Sequence, residues 1–189
     1  MHTCMALRQI LTEPNKILRE KSLIVNQVDK DLQKLMDDML ETMYAAPGIG
    51  LAAIQVGVPK RVIVLDIGWR DKSESPNDKQ YEERRNPIYF INPEIIEKST
   101  NNSTYEEGCL SVPGQFAEIA RPDKCRVKYL DYYGQPKEFV AEGMLATCIQ
   151  HEMDHLEGIL FIDYLSKLKK SMIVKKLTKQ KEQLDRIVI

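Results

Sequence analysis

The five residues His151-Glu152-Met153-Asp154-His155 constrain this chain more than any other segment. Histidines four apart leave one face of an α-helix about one turn from each other, so both rings meet one ion only if the segment is helical. The surroundings agree. Glu142–Leu156 carries Leu145, Cys148, Ile149 and Leu156, and Gly158 follows as a C-terminal stop. Apolar flanks predict a buried helix, and buried imidazoles and carboxylates need partners, which a metal ion supplies. Two of the chain's three histidines fall within these five residues, which argues against chance polar residues on an exposed helix. Glu152, next to His151, suits a base acting on water at the ion.

Two histidines do not complete such a site. A catalytic ion needs a third protein ligand and an open position. Zinc proteases take that ligand from downstream, but here no histidine follows His155 and no carboxylate lies between Tyr164 and Lys181. Asp163 stays open as a ligand, although it follows the helix end with little chain in which to fold back. An upstream cysteine is the stronger expectation. Cys148 shares the histidine face, but a rise of ~1.5 Å per residue puts it about 10 Å from His155 along the axis. Cys125 fits an inward strand position, and Cys4 sits near the N-terminus. Cys109 remains, in a segment bracketed by Gly108 and Pro113 that can offer a thiolate and free backbone N–H groups. The four cysteines show no paired spacing, so free thiols or a ligand are expected rather than disulfides.

Gly48-Ile49-Gly50-Leu51-Ala52-Ala53-Ile54-Gln55 is a third unusual segment. Its glycine spacing is wrong for dinucleotides, and no Lys-Ser/Thr follows, so it is not a phosphate loop. Glycines let backbone approach a ligand closely, and Gln55 can donate a hydrogen bond to a developing oxyanion. By itself the segment reads better as a plain turn.

Elsewhere, Leu32, Leu35, Met36, Met39, Leu40 and Met43 recur at helical steps, predicting a helix over Asp29–Met43 with Asp29 as its cap. Arg61–Ile67 reads as a buried strand, and Ile88–Ile91 as another ended by Asn92-Pro93. Cys125, Val127 and Tyr129 alternate with charged residues, and Tyr133-Gly134-Gln135-Pro136 predicts a turn into Glu138–Ala141. Gly68–Pro87 is polar and aperiodic, as in a mobile surface insert. Ser166–Arg186 is a third helix, rich in lysine. Strands in the middle with helices at both ends predict an α+β fold.

At 189 residues, 43% hydrophobic and 29% charged, the chain suits one ordinary globular domain. Residues 1–165 are expected to form the catalytic domain and 166–189 a basic helical extension of it. No apolar run approaches the ~20 residues of a membrane span, and no secretory signal stands out. A cytoplasmic setting is therefore expected, with neither membrane nor DNA as a partner. Charge is segregated. Residues 164–189 hold eight Lys or Arg against two Asp or Glu, a balance of +6. Of the totals of 27 and 28, that leaves 19 basic and 26 acidic residues elsewhere, a balance of -7. The basic end reads either as a solvated terminal helix or as an RNA-facing one, and the ribosome is the partner expected if the second holds.

In this order, Gly48–Gln55 (G-x-G-L-A-A-x-Q), Glu107–Ser111 (E-G-C-L-S) and Gln150–Gly158 (Q-H-E-x-D-H-L-x-G) resemble the motifs of peptide deformylase. The resemblance spans residues 14 to about 165. It implies small antiparallel sheets wrapped around a central metal-binding helix, with a C-terminal helix, and removal of formate from the N-formylmethionine of nascent peptides. It further implies Cys109, His151 and His155 as ligands of one divalent ion, with Fe2+ favoured and Zn2+ or another divalent metal able to replace it. Glu152 would be the general base and acid, and Gln55 and the Leu110 backbone N–H the oxyanion donors. Ile49, Met144 and Cys148 would line a slot for the methionine side chain, with Gly50 holding the substrate backbone extended. Two departures concern peptide preference. Phe116 stands where many bacterial members carry an arginine that contacts the peptide, and the Gly68–Pro87 insert is long. A zinc endopeptidase built on the same helix, and a non-catalytic metal module docking on the ribosome, are the rival readings.

Overall fold

Asp29 begins the first helix. Its side chain accepts the Leu32 backbone N–H at 2.8 Å, capping α1 over Lys30–Ala45. The helix runs two residues beyond the predicted end and stops before Pro47, which has no N–H to continue it. Its predicted stripe is the buried one: Leu32, Leu35, Met36, Met39, Leu40 and Met43 all face inward. Burial of each such side chain contributes roughly 1.5–3 kcal/mol. The computed structural model describes residues 6–68 and 85–187, so most of the Gly68–Pro87 insert, and Cys4, lie outside the described residues.

The stripe covers one face of a sheet. Strands β1 (Gly50–Ala52), β2 (Val62–Leu65), β3 (Ile88–Lys98), β6 (Lys124–Leu130) and β7 (Pro136–Glu142) form an antiparallel sheet in the order β1-β2-β3-β6-β7. Strand β2 is buried at every position because both faces are covered. Val62 and Val64 pack with α1, while Ile63 and Leu65 turn to a second helix, α2 (Gly143–Leu156). Helix α2 follows β7 directly and lays Ala146, Cys148, Ile149 and Leu156 on that second face, beside Phe90, Cys125, Val127 and Ala141. The chemistry-bearing helix is therefore held against the sheet along its length.

Strands β4 (Asn102–Cys109) and β5 (Val112–Pro122) form a separate two-stranded sheet. They pack Val112, Ala117 and Ile119 against Leu160, Phe161 and Ile162 and against Ile173 and Leu177 of the last helix, α3 (Lys167–Ile187). This is an α+β fold with antiparallel sheets around α2 and a C-terminal helix, as expected. No helix among the described residues is long and apolar enough to cross a membrane.

The largest boundary difference from the sequence reading lies in β3. Strand β3 does not end at Asn92-Pro93 but continues to Lys98. Asn92 adopts φ 51, and the pairing with β6 shifts between Ile91 and Glu94, so the proline sits in a bulge where no donor is required. The Asn92 side chain instead grips Val25, accepting its N–H and donating to its carbonyl, each at 2.8 Å. The β4–β5 hairpin was not legible from alternation, because its inward face mixes Ala117 and Ile119 with Glu107 and Arg121.

Candidate metal centre

Three segments distant in sequence supply the centre. Cys109 ends β4, where the pairing slips from Gly108↔Phe116 to Cys109↔Val112. His151 and His155 lie on α2 with ring centroids 5.1 Å apart and planes at 74°. One ligand atom from each of Cys109, His151 and His155 lies within 4.8 Å of the other two. Cys109 Sγ is 3.2 Å from His155 Nε2. His155 Nδ1 is buried without a hydrogen-bond partner among the described residues. A cysteine sulfur and two imidazoles so close together, two of the three residues buried, form a set suited to one metal ion.

The protonation pattern follows from burial and neighbours. Burial opposes charge on both histidines. His151 nonetheless lies well above the ordinary value because of its hydrogen bonds to Cys109 and Glu107. His155 is pushed well below by burial and by the nearby His151. Glu107 meets His151 Nδ1 at 2.7 Å, which leaves the other ring nitrogen for an ion. Burial works against the Glu107 charge, but His151 and Arg121 hydrogen bonds bring its pKa below the ordinary carboxyl value. Burial pushes Glu152 up to about 7, and one of its carboxylate oxygens has no hydrogen-bond partner among the described residues. That carboxyl is poised to take and return a proton near neutrality.

Gln55 reaches the centre from the first motif. Its Oε1 accepts the Ala52 N–H at 2.8 Å, which turns Nε2 toward Ser111 Oγ at 3.1 Å and Cys109 Sγ at 3.6 Å. The Ser111 N–H points to the same sulfur at 3.4 Å. A Cβ on Gly48 would lie 2.7 Å from Leu110 Cδ1, so the glycine segment runs directly beside Leu110. A Cβ on Gly50 would lie 2.5 Å from Glu152 Oε1, so a side chain there would push the carboxylate from this position.

Of the residues expected to line the methionine slot, Ile49 and Cys148 pack in one cluster. Met144 is 44% exposed at the start of α2, outside that cluster. Burial raises the Cys148 thiol to about 12, so it stays protonated and packs as a small apolar group. Cys125 is buried in β6. Asp163 is engaged elsewhere: it pairs with Arg19 and Lys170 and accepts the Leu160 N–H. The sequence reading assigned no role to Glu107, Arg121 or Asp154. Glu107 and Asp154 sit inside the quoted motifs, and their acidity beside ligand positions was the available signal. Arg121 carried none.

Comparison with known proteins gives the same picture. The sequence profile of the Polypeptide deformylase family matches residues 7–171. A peptide deformylase of Pelagibacter ubique (strain HTCC1062) is 61% identical over 185 residues, covering 98% of this chain and 100% of that protein. One of Maricaulis maris (strain MCS10) is 57% identical over 182 residues, covering 96% of this chain and 98% of that one. The crystal structure of the peptide deformylase of Ehrlichia chaffeensis in complex with actinonin superposes with a TM-score of 0.84 at 43% identity, covering 93% of this chain and 98% of that one. The class I type b peptide deformylase of Acinetobacter baumannii with Met-Ala-Ser bound gives 0.73 at 34% identity, over 84% and 98% of the two chains. With its three motifs folded into one metal-binding centre, the chain belongs to the polypeptide deformylase family.

Proposed function

We propose that this chain removes the formyl group from the N-terminal formylmethionine of newly made polypeptides, using Cys109, His151 and His155 to hold the metal ion. The observation that carries the reading is the convergence of those side chains within 4.8 Å, in a chain of this family. A divalent ion held there supplies Lewis acidity and brings water deprotonation toward neutral pH. Glu152 takes the proton of the attacking water. As oxygen adds to the formyl carbon, Gln55 Nε2 and the Leu110 N–H donate to the carbonyl oxygen that gains charge. The carbon–nitrogen bond then breaks, Glu152 returns the proton to the departing amine, and formate leaves. Ile49, Cys148 and Met144 receive the methionine side chain, and Gly50 lies along the peptide backbone. The Met-Ala-Ser held by the Acinetobacter baumannii relative supports a substrate of this class.

The donor set suits either iron or zinc, and the reading takes Fe2+ as the working ion, with Zn2+ or another divalent metal able to replace it. Activity that decays in air and survives anaerobic handling is the expected signature. Formate release from formyl-Met-Ala-Ser, measured beside internal cleavage of a longer unformylated peptide, tests the reaction. Internal cleavage without formate release would replace this reading with an endopeptidase.

The reading extends to partners. Residues 1–165 act as the catalytic domain, and 166–189 as a basic extension that meets ribosomal RNA or protein in the cytoplasm, where nascent chains emerge. Lys167, Lys169, Lys175, Lys176 and Lys179 are exposed on α3, while Ile173 and Leu177 are buried. Deleting the helix would therefore uncover core, and charge substitution is the cleaner test. Replacing these five lysines by glutamate should abolish low-salt ribosome co-sedimentation and leave formyl-Met-Ala-Ser turnover intact. Equal co-sedimentation would make the tail a solvated helix only.

A further inference from the structure

We propose that Arg121 and Tyr164 are positioning residues of the metal centre, acting through Glu107 and Asp154 to hold His151 in the orientation a bound ion needs. Arg121 is 4% exposed, unusual for a side chain that is almost never fully buried without partners. Its fork is occupied on both sides. Nε and Nη2 grip the two Glu107 oxygens, the latter at 3.0 Å, and Nη1 donates to Asp154 Oδ2 at 2.8 Å. The Tyr164 hydroxyl donates to that same Oδ2 at 2.8 Å, and the guanidinium carbon lies 5.0 Å from the Tyr164 ring centroid. Glu107 Oε2 then meets His151 Nδ1 at 2.7 Å. Three side chains thus connect a 52% exposed tyrosine to a ligand.

The links come from four parts of the fold. Tyr164 precedes α3, Asp154 and His151 share α2, Glu107 lies on β4 and Arg121 on β5. A buried ion pair is a weak source of stability by itself, so its place behind a ligand is better explained by orientation. The planar fork matters: it holds both Glu107 oxygens at once, which an ammonium cannot do. With Glu107 fixed, the His151 ring cannot rotate, and its Nδ1–H stays committed to the carboxylate.

The inference rests on the ligand set proposed above but not on the substrate, and its test needs no turnover. Metal-free protein, Arg121→Lys, Tyr164→Phe and a Cys109→Ser control would be titrated with zinc against a chromogenic chelator. The Co2+ visible bands and metal-free melting temperature of each would be recorded. Arg121→Lys should weaken zinc binding roughly 10–100-fold, and Tyr164→Phe about 2–10-fold, with shifted cobalt bands in both. Tyr164→Phe loses only a hydroxyl from a half-exposed ring, so it decides the matter if Arg121→Lys does not fold. Unchanged zinc affinity and cobalt bands in the folded variants, whatever happens to the melting temperature, would leave the network a structural brace and overturn the proposal. Full zinc affinity in Cys109→Ser would instead bring down the ligand set itself.

Discussion

The α-carbon of Gly50 stands so close to Glu152 that a methyl group there would lie 2.5 Å from Oε1 and 2.7 Å from Leu65 Cδ2. The glycine is thus a condition for the position of the proposed base, in addition to any contact it makes with substrate. Gly50→Ala should push the carboxylate aside and lower kcat on the order of 10²-fold, the effect of about 1 Å of misplacement. Zinc stoichiometry should stay near that of the wild type, since none of the three ligands is touched. A kcat close to wild type would mean that Glu152 has room to move without consequence.

Glu152→Gln removes the proton carrier while preserving shape, and turnover should fall at least ~10²-fold. Gln55→Ala removes one proposed oxyanion donor and should cost on the order of 10²–10³ in kcat. Both are measured by formate release on metal-loaded protein with intact circular dichroism. Near-normal turnover in the two variants would rule out the assigned roles.

Cysteine substitution separates ligand from packing. Cys109→Ala should take the metal content from about one ion per chain to near zero. Cys125→Ala, at a site 1% exposed in β6, should keep its ion and lose roughly 1 kcal/mol of stability. Elemental analysis and thermal melts read the two outcomes, and metal loss in the Cys125 variant alone would reverse the assignment.

Asp163 ties the N-terminal segment to α3 through Arg19 and through Lys170 at 2.6 Å. Burial works against its charge, but hydrogen bonds from Lys170 and the Leu160 N–H, with Arg19 nearby, hold its pKa below the ordinary 3.8. A depressed carboxyl contributes stability above its unfolded pKa and loses it as pH falls through the folded one. Asp163→Asn should therefore melt earlier at neutral pH, by about 1–2 kcal/mol. The gap to wild type should begin to close as pH falls below 3.8. A gap independent of pH would show that the carboxyl charge is not what holds these segments together.

Much of the site was readable because its information is local. The spacing of His151 and His155 becomes a shared face as soon as the segment turns helical, and the stripe from Leu32 to Met43 is buried for the same reason. Cys109 emerged by elimination, since few other residues had the chemistry to complete the set. Asn92-Pro93 misled because a bulge lets a strand pass through residues that normally end one.

The sequence by itself determined the helix, the candidate ligands and the three motifs that resemble one family. Only the tertiary structure decided what stands behind them. Glu107 lies 44 residues from His151, and Arg121 lies 14 from Glu107 and 33 from Asp154. These charged residues meet because the β4–β5 register places Glu107 and Arg121 on one inward face, and packing then brings that face against α2. Helical periodicity reaches only a turn or two along a chain. The partners of a buried charge are chosen by which elements pack together, and that choice is made by the whole fold.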